Sequence, residues 1–174
     1  MRSLALNALT RLLPVGLITL SVHRVVFARH EVFDVKLQLV LALVVAAGTT
    51  AGADKGAIAG FVLGLLYDIA GNTPLGMTAL AYGMAGMTAG YVQSLTPDPQ
   101  WWLASIFATL GAAVGEAGVP ALELMTGRVD GLDPRLAWTV PMVAVSCGLV
   151  CTPLMPIGRW AVGVRRKKWK VITE

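Results

Sequence analysis

The sequence predicts an all-α protein, a polytopic bundle that crosses a lipid bilayer about six times. Three observations carry that expectation. Of 174 residues, 56% are hydrophobic and only 14% charged, with a mean hydropathy of +0.69, whereas soluble domains carry about 25% charge. The charged residues fall in short blocks between long apolar runs instead of recurring at helical spacing to make polar faces. The basic excess sits at one end, in Arg165, Arg166, Lys167, Lys168 and Lys170.

The elements follow in order. Leu4 to Ala28 is apolar but interrupted by Arg11, Pro14, His23 and Arg24. Arg2 and the run after it look like a signal peptide, yet every later segment also needs a bilayer, so an uncleaved first helix is expected. Leu37–Gly52 is a second span whose one strongly polar side chain is Gln38. Ala53-Asp54-Lys55-Gly56 reads as a tight turn, leaving Ala57–Ala70 as a short third span. Gly71-Asn72-Thr73-Pro74 breaks the chain, with Thr73 as N-cap and Pro74 as the first residue of the next helix. Leu75–Leu95 is a fourth span, closed by Thr96-Pro97-Asp98-Pro99. Trp101 and Trp102 mark the interfacial entry of a fifth helix that runs to about Thr126. After the mixed-charge loop 127–135, Leu136 to Val164 is the sixth, with Trp138 near its start and Trp160 and Trp169 around its far end.

Residues 1–164 therefore form one transmembrane domain and 165–174 a basic tail. An even number of crossings puts both termini on one side. With the termini cytoplasmic, the inner face carries Arg2, Arg11, Lys55, Arg159 and the five tail residues. The outer face carries only Arg24, Arg29, Lys36, Arg128 and Arg135, so the positive-inside rule selects that orientation. The same placement explains the pI near 9.4 without nucleic acid, which is excluded as a partner; the lipid bilayer is the expected one.

Small residues at spacing four form three series: Gly48, Gly52, Gly56, Gly60 and Gly64; Ala81, Ala85 and Ala89 beside Gly86 and Gly90; Gly111 and Gly115. In lipid, close backbone approach at such positions supplies much of helix association. They pack this bundle or dock a partner's helix, with internal packing the stronger expectation.

Three carboxylates lie within or beside apolar runs, where an acidic group is paired, cavity-facing or functional. Asp68 precedes the turn at Pro74 and is expected near the free N–H groups that open the fourth helix, as a lock between helices three and four. Glu116 and Glu123, seven apart, share a face of the fifth helix around Pro120, which deprives the Glu116 carbonyl of its donor. This stripe points into the bundle or at a partner. Cys147 and Cys151 are expected to be small buried residues, since no further ligand completes a metal set. His23 and His30 are expected to be solvated at an interface. No Ser/His/Asp set, phosphate loop or His-Glu-x-x-His is present, so neither an enzyme nor a cofactor-dependent protein is expected.

The block GFVLGLLYDIAGNTPLGMTAL from Gly60 to Leu80 closely resembles the central signature of the rod shape-determining MreD family. The matching positions are Gly60, Phe61, Gly64, Asp68, Pro74, Leu75, Gly76, Ala79 and Leu80. Chain length, span number and basic tail fit as well, although only the central block is specific. The resemblance implies a non-enzymatic subunit of the bacterial elongation machinery in the cytoplasmic membrane. Its implied partners are the single-span MreC and, through it, MreB, RodA and a class B penicillin-binding protein. The implied fold is a six-helix bundle similar to the substrate-binding subunits of energy-coupling-factor transporters. A vitamin-binding subunit of that type is the rival, but LALNALTRLLPVGLITL has no Ala-x-x-x-Ala, and aromatic residues make only 7%. A proton-coupled transporter using Glu116 and Glu123 would want broken helices in repeated halves, and no internal repeat is seen.

Overall fold

A computed structural model describes residues 2–27, 38–71, 74–96, 99–128, 131 and 133–163; of residues 2–9, 26 and 27 only the backbone is described. Regular structure among them is entirely helical: α1 (Arg2–Val22) followed by a π-helical turn (His23–Phe27), α2 (Leu39–Ala51), α3 (Ala53–Ala70), α4 (Met77–Gly90), α5 (Val92–Leu95), α6 (Trp101–Met125) and α7 (Leu136–Val162). Two of these, α6 and α7, are long and apolar enough to cross a membrane. His30 and the tail 165–174 lie outside the described residues, as do the basic residues Arg29 and Lys36.

The core is built around α2. Every residue from Val40 to Thr50 is buried, because α3, α4, α6 and α7 all pack against it. The expected turn at residues 53–56 is corrected: the chain reverses at Gly52 alone, with φ +91°, and α3 starts at Ala53, not Ala57. A backbone in that conformation suits glycine, which has no Cβ to clash. Asp54 then sits in the first turn of a helix, where negative charge is favoured, so the polar stretch initiates α3 instead of separating two helices. The fourth helix is also shorter than expected: α4 ends at Gly90, and a break at Tyr91 precedes α5.

Reversal at Gly52 folds the first glycine series back on itself. A Cβ at Gly56 would lie 2.8 Å from the Gly48 Cα, and one on either residue would collide with the Gly86 carbonyl. One step on, Gly60 faces the Tyr82 carbonyl, and a Cβ at Gly64 would lie 2.6 Å from both the Thr78 oxygen and the Ala79 Cα. The other two series meet each other: Cβ atoms at Gly111 and Gly115 would lie 2.6 Å from the Ala85 oxygen and 2.9 Å from the Ala85 Cβ. Ala81, Ala85 and Ala89 are fully buried. All three series are thus spent on packing within the chain.

The first helix, α1, covers this core from the side through a narrow stripe, Leu12, Gly16 and Leu20. Pro14 lies inside it without ending it. The Arg11 guanidinium lies 5.7 Å above the Trp160 ring, and the Arg24 guanidinium donates to the Ala70 carbonyl at the end of α3. His23 is half-buried with its ring centroid 6.1 Å from that of Tyr67, which corrects the expectation of a solvated histidine.

Gly60→Ala should lower stability by about 1–3 kcal/mol, the usual cost of overpacking a tight contact. Gly83→Ala should be nearly neutral, because its Cβ would meet nothing closer than the Ala57 oxygen at 3.5 Å. Thermal unfolding of the two purified variants side by side checks this; equal midpoints would contradict the close approach of α3 and α4.

Candidate functional site

Two of the three carboxylates singled out by sequence, Asp68 and Glu116, lie toward the end of the bundle where α3 passes into α4. Asp68, the last acidic residue of α3, is 2% exposed. Its Oδ2 accepts from the backbone N–H of Gly76 at 2.8 Å and of Ala79 at 3.3 Å. The first N–H groups of a helix have no partner within it, and here Gly76 stands at the N-cap with φ +98° and no side chain to cap them. A carboxylate from the preceding helix takes that role. The expected cap is therefore corrected: α4 starts at Met77 with Gly76 before it, Pro74 stays outside the helix, and Thr73 lies outside the described residues. Pro74 opens a tight turn, its carbonyl accepting from the Met77 N–H at 3.3 Å, and glycine readily takes the left-handed backbone at residue 76, whose N–H donates to Asp68.

The seven residues of the Gly60–Gly76 motif divide by role. Gly60 and Gly64 form the close contact of α3 with α4, while Asp68, Pro74 and Gly76 form the junction. Phe61 and Leu75 point outward, 44% and 71% exposed. Lining between the two helices is tight, so the outward pair is the part of the motif that meets the surroundings.

Sequence reasoning missed a second constellation at the same end. The Tyr82 hydroxyl donates to Gln38 Oε1 at 2.7 Å, and Gln38 Nε2 donates to Glu116 Oε2. This chain ties α4, the start of α2 and α6 together. Tyr82 is 2% exposed, and its ring centroid is 6.0 Å from that of Tyr67, which continues the row to His23. The signal was present, since Gln38 and Glu116 are polar residues isolated in apolar runs. What was absent from the sequence was their mutual distance, 78 positions apart. Glu123 does not join them: it is half-buried two turns further along α6, and its carboxylate makes no hydrogen bond among the described residues.

This arrangement holds helices in register. Asp68 Oδ2, Gln38 Oε1 and Glu116 Oε2 each accept from a donor on another segment, the condition under which buried polar groups stabilise. The buried Thr78 hydroxyl beside them, by contrast, has no partner among the described residues. Cys147 and Cys151 are free and buried, with the Cys151 Sγ 3.8 Å from the Thr49 hydroxyl. Among the described residues no group of three or more His, Cys, Asp or Glu could hold a metal. No family model, no curated protein and no solved structure matches the chain.

Asp68→Ala should cost about 1.5–3 kcal/mol, as for hydrogen bonds to a charged group, and Asp68→Asn less, because an amide oxygen still accepts. Hydrogen exchange at the Ala79 amide reads the same contact directly, and protection unchanged in Asp68→Ala would refute the clasp. For the second constellation, a double-mutant cycle with Tyr82→Phe and Gln38→Leu should give a coupling of about 1 kcal/mol. Strict additivity in unfolding free energy would separate the two residues.

Proposed function

We propose that this chain is a multi-pass protein of a bacterial cytoplasmic membrane that crosses the bilayer six times. Within that class it is a non-enzymatic subunit of the rod elongation complex, an MreD-type protein that binds a single-span MreC-like partner and supports lateral peptidoglycan synthesis.

Helix lengths support the class. At 1.5 Å per residue, α6 and α7 reach roughly 37 and 40 Å, and α3 and the α4–α5 pair roughly 27 and 28 Å, against a hydrocarbon core of about 30 Å. The 13-residue α2 reaches only about 20 Å. It is enclosed by its neighbours, so no lipid sets its length. Exposed indoles lie near helix ends, with Trp101, Trp102 and Trp160 at one end and Trp138 at the other, as interfacial anchoring requires. The Lys and Arg count of the sequence supports a cytoplasmic position for both termini.

The observation that carries the particular role is the junction of α3 with α4. The residues Gly60, Gly64, Asp68 and Gly76, on which the resemblance to MreD rests, act together as one clasp, and Phe61 and Leu75 of the same motif face outward. A motif whose buried half secures a turn and whose exposed half faces the bilayer suits a scaffold subunit. Since the small-residue series are consumed inside the chain, partner binding is assigned to exposed apolar side chains instead.

A tagged full-length chain extracted in mild detergent should co-purify a single-span cell-wall protein, and removing the gene should round rod-shaped cells. Recovery of a bound vitamin with no cell-wall partner would support the energy-coupling-factor rival and end this assignment. For orientation, Lys170→Cys should react with an impermeant thiol reagent only in inverted vesicles; labelling in intact spheroplasts would reverse the topology.

A further inference from the structure

A shallow groove of about 370 Å³ runs along the outer face of α3 and α4, lined by Ala57, Ile58, Phe61, Leu80, Gly83, Met84 and Met87. Its floor is the two small residues Ala57 and Gly83, where the helix backbones come close. Its walls are exposed: Ile58 61%, Phe61 44% and Leu80 53%. No polar side chain lines it.

One end of the groove is charged. Asp54 and Lys55 lie one turn before Ile58, and both are exposed. Neither makes an ion pair or hydrogen bond within the described chain. They stand at the end of the bundle where Trp160 also lies: Gly90, the last residue of α4, packs on Gly52 and Ala53, and Gly158, near the end of α7, packs on Ala46 and Ala47 near the end of α2. An apolar slot opening beside adjacent charges of opposite sign complements a zwitterionic phospholipid. An exposed carboxylate favours an ammonium, which can donate N–H groups to it, over a quaternary amine, which cannot.

We propose that this groove holds one acyl chain of a phosphatidylethanolamine molecule, whose phosphate sits on Lys55 and whose ammonium sits on Asp54. The charge pattern selects this headgroup. An anionic glycerol headgroup would gain from Lys55 and lose to Asp54, whereas the zwitterion satisfies both. Lysine on a long apolar stem reaches an interfacial phosphate readily. The two methionines adapt to a chain without fixed shape. The proposal rests on the bilayer placement above; it gives the Phe61 face to lipid and leaves the cell-wall partner to exposed apolar side chains outside this groove, such as Leu75.

The full-length protein, reconstituted in nanodiscs of equal phosphatidylethanolamine and phosphatidylglycerol and released for native mass spectrometry, tests it. One phosphatidylethanolamine per chain should be retained, preferred over phosphatidylglycerol by about fivefold, the effect of one interfacial charge contact. Gly83→Leu, which projects a side chain into the slot from a position where a Cβ makes only ordinary contacts of 3.5 Å or more, should lose that lipid while its unfolding midpoint stays close to that of the parent. Asp54→Lys should keep a lipid but turn the preference toward phosphatidylglycerol. Retention of the lipid by Gly83→Leu, or no headgroup preference in the parent, would overturn the proposal. So would a Gly83→Leu protein that keeps its lipid count but loses a bound protein, because the occupant would then be a partner helix. A chain recovered from the aqueous fraction without detergent would instead sink the bilayer reading itself.

Discussion

The structure depends on how closely three backbones approach. Gly48 and Gly56 face each other across the α2–α3 reversal and share the Gly86 carbonyl of α4 as their common neighbour. No side chain separates these helices there, so attraction comes from backbone and Cβ atoms in direct contact, individually weak and collectively large. The approach leaves no room for adjustment. It sets where α4 lies, and α4 in turn presents Ala81, Ala85 and Ala89 to the glycines of α6.

Such a seam fixes distance better than register, because glycine presents few distinguishing features along a helix. Register comes from the polar groups. Asp68 binds the opening of α4 at one definite residue, and the Tyr82–Gln38–Glu116 chain pins α4 to α2 and α6 nearby. Both constellations lie toward one end of the bundle. The opposite end is held by Gln93 donating to the Thr49 carbonyl at 3.0 Å and by apolar contact. The polar end is therefore the anchored one. The groove, with its charged mouth, faces the other way and lies outside both constellations.

Much of this was legible in the chain. Asp68 before a Pro-Leu-Gly turn announced a carboxylate near a helix start, and the hydrogen bonds to Gly76 and Ala79 place it there. Yet the reading put the helix start three residues early, because Thr-Pro is a strong local cap signal and a cap supplied from the preceding helix leaves no mark in local sequence. The turn at Asp54-Lys55 failed for a related reason. Polar residues at a helix start and polar residues in a loop look alike, and the actual reversal uses a single glycine within a series that otherwise reads as helical.

What the sequence determined by itself was the all-helical class, the approximate succession of segments and the importance of Asp68, since apolar run length, proline and isolated charge act locally. Tertiary structure decided the rest. It turned one glycine series into two facing halves, enclosed α2 on all sides, joined Gln38 to Tyr82 and Glu116, and left Glu123 apart from them. Glu116 and Glu123 have the same residue type and share one helix face, so nothing local distinguishes them. Only the position of the start of α2 does, and that position follows from backbone contacts between residues far apart in the chain.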